Sequence, residues 1–369
     1  MTGLNAIHGT WQPGYEPVVE AAAAVIADGP PSGAALGIWA HGGPVVNVWG
    51  GLARPGDGQP WQQDTLAVEF SVAKGLLATC TLRAAQKGTL DLDETCAAYW
   101  PEFASRGKDV ITARMVLAHR AGLPALDTNF TLEEALDGAA VVTALEQQEP
   151  LWPPGTGYAY HAMTYGWLVA EILRRSTGQP LSDHLDELTA GRDNDIWLGL
   201  PEGAAPRLAE AAWDRQHTNL RFPPDRPETP WQQRTITRAV TIGSAFLPAL
   251  VGPGTGLNDP RILRAGVPAV GIVSTARSMA ALWARTITPV DGHSPLLNSD
   301  TIAQASRCRS QGETALGTPG AGRWATGHMI RSSLAPMTTD ASPQVDRQGD
   351  GAGGQLCFAD PHHSVGFAS

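Results

Sequence analysis

The chain has 369 residues, of which 43% are apolar and 17% charged, with 41 glycines and 29 prolines. That balance describes a compact, loop-rich protein able to bury a sizeable core, and it excludes disorder over most of the length. A net charge of −10, spread without long acidic or basic runs, argues against nucleic acid or an anionic membrane as partner and in favour of small molecules.

The first 17 residues carry no basic region followed by an apolar core, so neither a secretory signal nor a membrane span is read there. Cys80, Cys96, Cys308 and Cys357 form no Cys-x-x-Cys pair, which fits a reducing compartment. A cytoplasmic location is expected.

In chain order, residues 18–27 are alanine-rich with a helical pattern, stopped by the glycines and prolines of 29–33. Strand-like runs at 35–40 and 45–50 follow, joined by His41-Gly42-Gly43-Pro44, a hairpin turn. A helix opening near Ser71 continues over 76–87 and is capped by Gly88. Amphipathic helices are predicted at 113–119, 132–147 and 162–175, the last closed by Thr177-Gly178. Residues 221–231 are proline-rich and irregular, a composition typical of a lid or binding loop. Short strands are read at 327–330, 355–359 and 364–368. No internal repeat or low-complexity tract occurs.

Strands at both ends with helices between them predict an α+β fold. One unit, 1–65 with 286–369, builds an antiparallel sheet flanked by helices; 66–285 forms a mostly helical insertion.

Only three lysines occur, Lys74, Lys87 and Lys108, against 23 arginines. A buried lysine can lose its proton and act as a base, whereas an arginine cannot. Two of the three end a Ser-x-x-Lys: Ser71-Val72-Ala73-Lys74 and Ser105-Arg106-Gly107-Lys108. The second lies in a polar run broken by Gly107 and reads as a surface loop. The first sits between the apolar runs 66–70 and 75–82, where serine and lysine share one helix face at i and i+3. A serine hydroxyl needs a base within hydrogen-bond reach, and burial lowers a lysine pKa toward that role. Ser71 and Lys74 are therefore the candidate nucleophile and base. A second element, Trp152-Pro153-Pro154-Gly155-Thr156-Gly157-Tyr158-Ala159-Tyr160-His161-Ala162, is a turn that delivers a tyrosine able to relay a proton.

These segments, together with Trp61-Gln62-Gln63-Asp64-Thr65-Leu66, Leu90-Asp91-Leu92-Asp93 and Leu117-Ala118-His119-Arg120-Ala121-Gly122-Leu123, resemble the serine β-lactamase and penicillin-binding-protein superfamily, in its class C-like branch that includes family VIII carboxylesterases. The resemblance implies a β-lactamase/DD-peptidase-like fold, with Ser71 as acylated nucleophile, Lys74 as base and Tyr160, rather than Tyr158, as the tyrosine of the family's Tyr-x-Asn motif. It also implies an oxyanion hole made by the backbone N–H groups of Ser71 and Ala352. Trp152, His161, Gly351 and Gly353 are candidate pocket residues, with Trp213 and Trp231 as further aromatic candidates; His161 alone reads as a satisfied structural histidine.

Three departures from the family pattern stand out. Ala162 replaces the motif's asparagine, Gly349 stands where the family carries lysine or histidine, and the chain stops at Ser369, short of the usual closing helix, which leaves a sheet face less covered. The first two disfavour carboxylate-bearing β-lactams. The expected activity is hydrolysis of short-chain esters; the alternatives are a β-lactamase or D-alanyl-D-alanine peptidase, and a catalytically silent binding protein. No cofactor or metal is expected: His362-His363 has no suitably spaced partner. No Gly-x-Ser-x-Gly elbow occurs, against an α/β-hydrolase.

Overall fold

The computed structural model describes residues 7–29, 32–190, 194–211, 228–246, 251–252, 254–317, 322–332, 347–350 and 353–369. Eight of the described strands form one antiparallel sheet: β1 (Ile7–Trp11), β2 (Ala34–Ala40), β3 (Gly43–Gly50), then β7 (Gly322–Trp324), β8 (Met329–Ser332), β9 (Arg347–Asp350), β10 (Leu356–Asp360) and β11 (Val365–Ala368). Their spatial order is β1-β3-β2-β11-β10-β9-β8-β7, so the two ends of the chain meet where Ile38 of β2 faces Phe367 of β11. The β2–β3 turn is tighter than the four residues suggest: His41 and Gly42 both have positive φ, 50° and 82°, as a two-residue hairpin requires, and Gly43 and Pro44 already belong to β3.

Each face of the sheet meets a helix. Helix α1 (Glu16–Asp28) lays Val19 and Ala23 on Leu36, Ile38, Val46 and Val48. On the same face Phe358 and Phe367 stack at 4.7 Å and remain half-buried. Against the opposite face packs the helix Ala276–Arg285, whose Ala276, Ala280 and Ala284 approach Gly37 and Gly366.

The central helix α2 (Ala73–Gln86) is buried on nearly every side, as its all-round apolar composition demands. It contacts α6 (Thr164–Thr177) and meets the Ala276–Arg285 helix where a Cβ on Gly75 would touch Trp283.

Within the stretch 66–285, expected to be mostly helical, lies a three-stranded sheet of β4 (Ala67–Val68), β5 (Ile196–Leu198) and β6 (Ile272–Ser274). Two expectations are corrected. The single helix expected at 132–147 is two, α4 (Leu132–Asp137) and α5 (Ala139–Gln147), because Gly138 between them adopts φ 81°, a conformation that ends a helix. Lys108 is not on a surface loop: it is fully buried, with Nζ donating to the carbonyls of Ser105, Glu146 and Gln148 at 2.7–3.0 Å. Burial lowers its pKa to about 8, but its Nζ is committed to three carbonyls, and Ser105 Oγ is itself spent on Glu146 O. This second Ser-x-x-Lys is a structural staple.

Candidate active site

Ser71 sits where a strand turns into a helix. β4 pairs with β6 through Val68↔Val273, the Glu69 N–H continues that pairing by donating to Ile272 O, and Phe70 then takes φ 47°. A bulky residue holds such a conformation only when its surroundings over-determine it, and Phe70 is buried at 2% exposure. The kink hands the chain to the single turn Phe70–Val72 and on to α2, leaving Ser71 partly exposed.

One turn later Lys74 is 3% exposed. Its Nζ lies 3.2 Å from Ser71 Oγ and 3.2 Å from the carbonyl oxygen of Ala269. Burial without a carboxylate partner pushes its pKa down to about 7, because the charged form loses its hydration. In the neutral amine an N–H serves Ala269 and the lone pair faces the Ser71 hydroxyl.

The two candidate tyrosines have different surroundings. Tyr158 is buried and its hydroxyl donates to Gly312 O at 2.7 Å. Tyr160 is half-buried, with the centroid of its ring 5.0 Å from Lys74 Nζ and the ring stacked on Trp324 at 5.4 Å. Tyr160 lies in an irregular segment just before α6 rather than on the helix.

Of the other candidates, Ala352 and Gly351 lie outside the described residues, as does Trp213. Gly353 donates its N–H to Gln355 Oε1, and Gln355 Nε2 donates to Val68 O, both at 3.1 Å. That amide ties the start of β10 to the strand leading into Ser71. Gly349 pairs with Cys357 in the β9–β10 hairpin. Trp231 begins a helix and is 51% exposed. Trp152 is half-buried and meets the His161 ring edge-on at 6.4 Å.

His161 is fully buried with both nitrogens bonded. Nε2 accepts from the Leu123 N–H at 3.0 Å, so Nδ1 carries the proton and donates to Ala159 O at 2.7 Å. Burial pushes its pKa down to about 4. The geometry places it as a brace behind the site and not on a pocket wall.

The site also contains groups that the sequence did not single out. Glu69 is 4% exposed and accepts from Ser274 Oγ at 2.5 Å; burial pushes its carboxyl up to about 7. Its only sequence signal is a lone carboxylate inside the apolar run 66–70. Trp324 and the Ala269 carbonyl carry none, being brought in by the chain's path.

A model of the family described as Beta-lactamase matches residues 22–368. The chain is 32% identical over 285 residues to "Esterase/beta-lactamase LipL" of Mycobacterium tuberculosis, a match covering 75% of this chain and 63% of that protein. The solved structure of EstA from Arthrobacter nitroguajacolicus Rue61a superposes with a TM-score of 0.82 at 29% identity, covering 98% of this chain and 91% of EstA. That of a family VIII carboxylesterase does so with a TM-score of 0.82 at 26% identity, covering 98% and 92%. The antiparallel sheet, the serine at the head of a buried helix and a family match from the first helix to the last strand lead to one conclusion: this chain belongs to the Beta-lactamase family.

Proposed function

We propose that the chain is a serine carboxylesterase acting on short-chain esters through an acyl-enzyme on Ser71. The observation that carries this reading is the 3.2 Å separation of Ser71 Oγ from a lysine amine whose pKa is lowered to about 7. In this mechanism Ser71 Oγ bonds to the ester carbonyl carbon while its proton passes to Lys74 Nζ. The oxyanion takes hydrogen bonds from the backbone N–H groups of Ser71 and, by family resemblance, Ala352; one such donor is typically worth about 3 to 4 kcal/mol in the transition state. Collapse of the tetrahedral intermediate breaks the bond to the alkoxide, which receives the proton through Tyr160. Water then attacks the acyl-enzyme, gives up its proton to the same pair, and releases the acid and free Ser71.

The preference for esters rests on Ala162 and Gly349, which remove an amide and a cation suited to carboxylate-bearing β-lactams. The printed name of LipL joins esterase to β-lactamase, so β-lactam hydrolysis is the second reading, and nitrocefin turnover set against ester turnover ranks the two. Among the described residues no helix is long and apolar enough to cross a membrane. All four cysteines are free thiols, which supports a reducing, cytoplasmic location.

The test is hydrolysis of p-nitrophenyl butyrate by the protein and by Ser71→Ala, with folding confirmed by circular dichroism. Activity lost in the variant, with a fluorophosphonate adduct on Ser71 of the parent, is the expected result. Equal activity in both would reject the assignment of the nucleophile; no activity and no adduct in either would leave a silent binding protein.

A further inference from the structure

His119 is 1% exposed and adopts φ 60°, an uncommon backbone state for a ring-bearing residue. Besides the bond from its own N–H to Val116 O, two hydrogen bonds converge on one neighbour. The Ala159 N–H donates to the His119 carbonyl, and the His161 N–H donates to His119 Nδ1, each at 3.2 Å. The residue between those two donors is Tyr160, so main chain and side chain of one histidine hold the N–H groups of both its chain neighbours.

The imidazole is therefore the Nε2–H tautomer. That nitrogen is buried and has no hydrogen-bond partner among the described residues. The ring instead meets Trp324 near-perpendicularly, at 4.4 Å and 82°, and lies 5.0 Å from the Tyr160 ring and 5.1 Å from that of Tyr165. Ring contacts of this kind are poor compensation for a buried donor that a purely apolar side chain would not carry. The bond from His161 needs Nδ1 unprotonated, and burial, His161 and Lys74 together keep the imidazole neutral, well below its usual range.

We propose that His119 is a positioning residue for Tyr160, clamping its backbone from both sides and, with Trp324, fixing its ring beside Lys74. This rests on the reading that Tyr160 moves the proton for Ser71, since a phenol that does nothing needs no positioning. Asparagine offers the contrasting variant: Oδ1 occupies the place of Nδ1 and tolerates positive φ, whereas phenylalanine keeps a ring but leaves the His161 N–H without its acceptor.

The experiment is a double-mutant cycle on p-nitrophenyl butyrate hydrolysis, with melting temperature recorded for each variant. His119→Phe is expected to lower kcat roughly ten- to a hundredfold, as a misplaced catalytic group does, with KM within about threefold. His119→Asn is expected to recover most of that loss. In a Tyr160→Phe background, His119→Phe should cost less than about twofold more, because both changes remove one function. Should His119→Phe fail to fold, the cycle is run with His119→Asn, whose lost ring contact should be felt only when Tyr160 is present. Losses that multiply in the double variant, or an Asn variant as impaired as Phe, would overturn the clamp while leaving the esterase reading intact. A fully active Tyr160→Phe would instead remove the proton relay, and the clamp with it.

Discussion

Lys74 makes two contacts, to Ser71 Oγ and to Ala269 O, and neither is a carboxylate. With no carboxylate to hold the ammonium, burial brings its pKa to about 7. Below that pH the amine is protonated and cannot take the serine proton; above it the base is free. Turnover of an uncharged ester is therefore expected to rise with pH about a midpoint near 7 and to level off above; a flat profile between pH 5.5 and 8.5 would contradict this. Lys74→Arg, which keeps the charge at any accessible pH, should lose roughly a hundredfold or more in kcat and not recover it at alkaline pH. The pair itself was legible because i and i+3 on a helix are neighbours. The Ala269 carbonyl, 195 positions away, was not, since a backbone acceptor leaves no mark in the residue type.

Between elements, the placement of Ala269 depends on α6. A Cβ on Gly166 of that helix would sit 2.5 Å from Ala269 N, so the helix and the loop that holds Lys74 touch backbone to backbone. Gly166→Ala should force them apart, costing about 1–3 kcal/mol of stability together with a fall in kcat. Gly178→Ala, at the far end of α6, meets nothing within 4 Å but has φ 77°; it should lower the melting temperature and leave kcat unchanged. Equal effects of the two on kcat would show that the helix does not set the lysine. Helix boundaries were readable from caps such as Gly178, but the break at Gly138 was not, because its neighbours continue the apolar pattern. Lys108 was misjudged for a related reason: a polar run looks exposed until the Glu146 and Gln148 carbonyls of another segment close over it.

At the scale of the whole molecule, the strand-like runs at 35–40, 45–50, 355–359 and 364–368 revealed strands at both ends, whereas their joining through β2 and β11 needed the structure. Small residues facing the Ala276–Arg285 helix and larger ones facing α1 set which side of the sheet each helix takes. Stability against pH also belongs to this scale. Glu69, raised from 4.5 to about 7, binds its proton more tightly in the folded protein, so its contribution is present below pH 4.5 and is lost as pH rises to 7. Lys74, lowered from 10.5 to about 7, has the opposite slope, its burial penalty being relieved between pH 7 and 10.5. The two together give a minimum near neutrality. Glu69→Gln should abolish the falling limb, a difference of about 3 kcal/mol in urea unfolding between pH 4.5 and 7; parallel curves for parent and variant would refute it.

Glu69 and Lys74 flank Ser71 in sequence, and burial brings the pKa of each to about 7. Below 7 the pair consists of a carboxylic acid and an ammonium, with a formal charge of +1; above it, of a carboxylate and an amine, with a charge of −1. The protonation state that frees Lys74 for its proposed role as base is thus the one in which the pair carries a negative charge. Under the proposed mechanism an anionic substrate is expected to meet repulsion when Lys74 is free to act and attraction when it is not, a conflict that a neutral ester escapes.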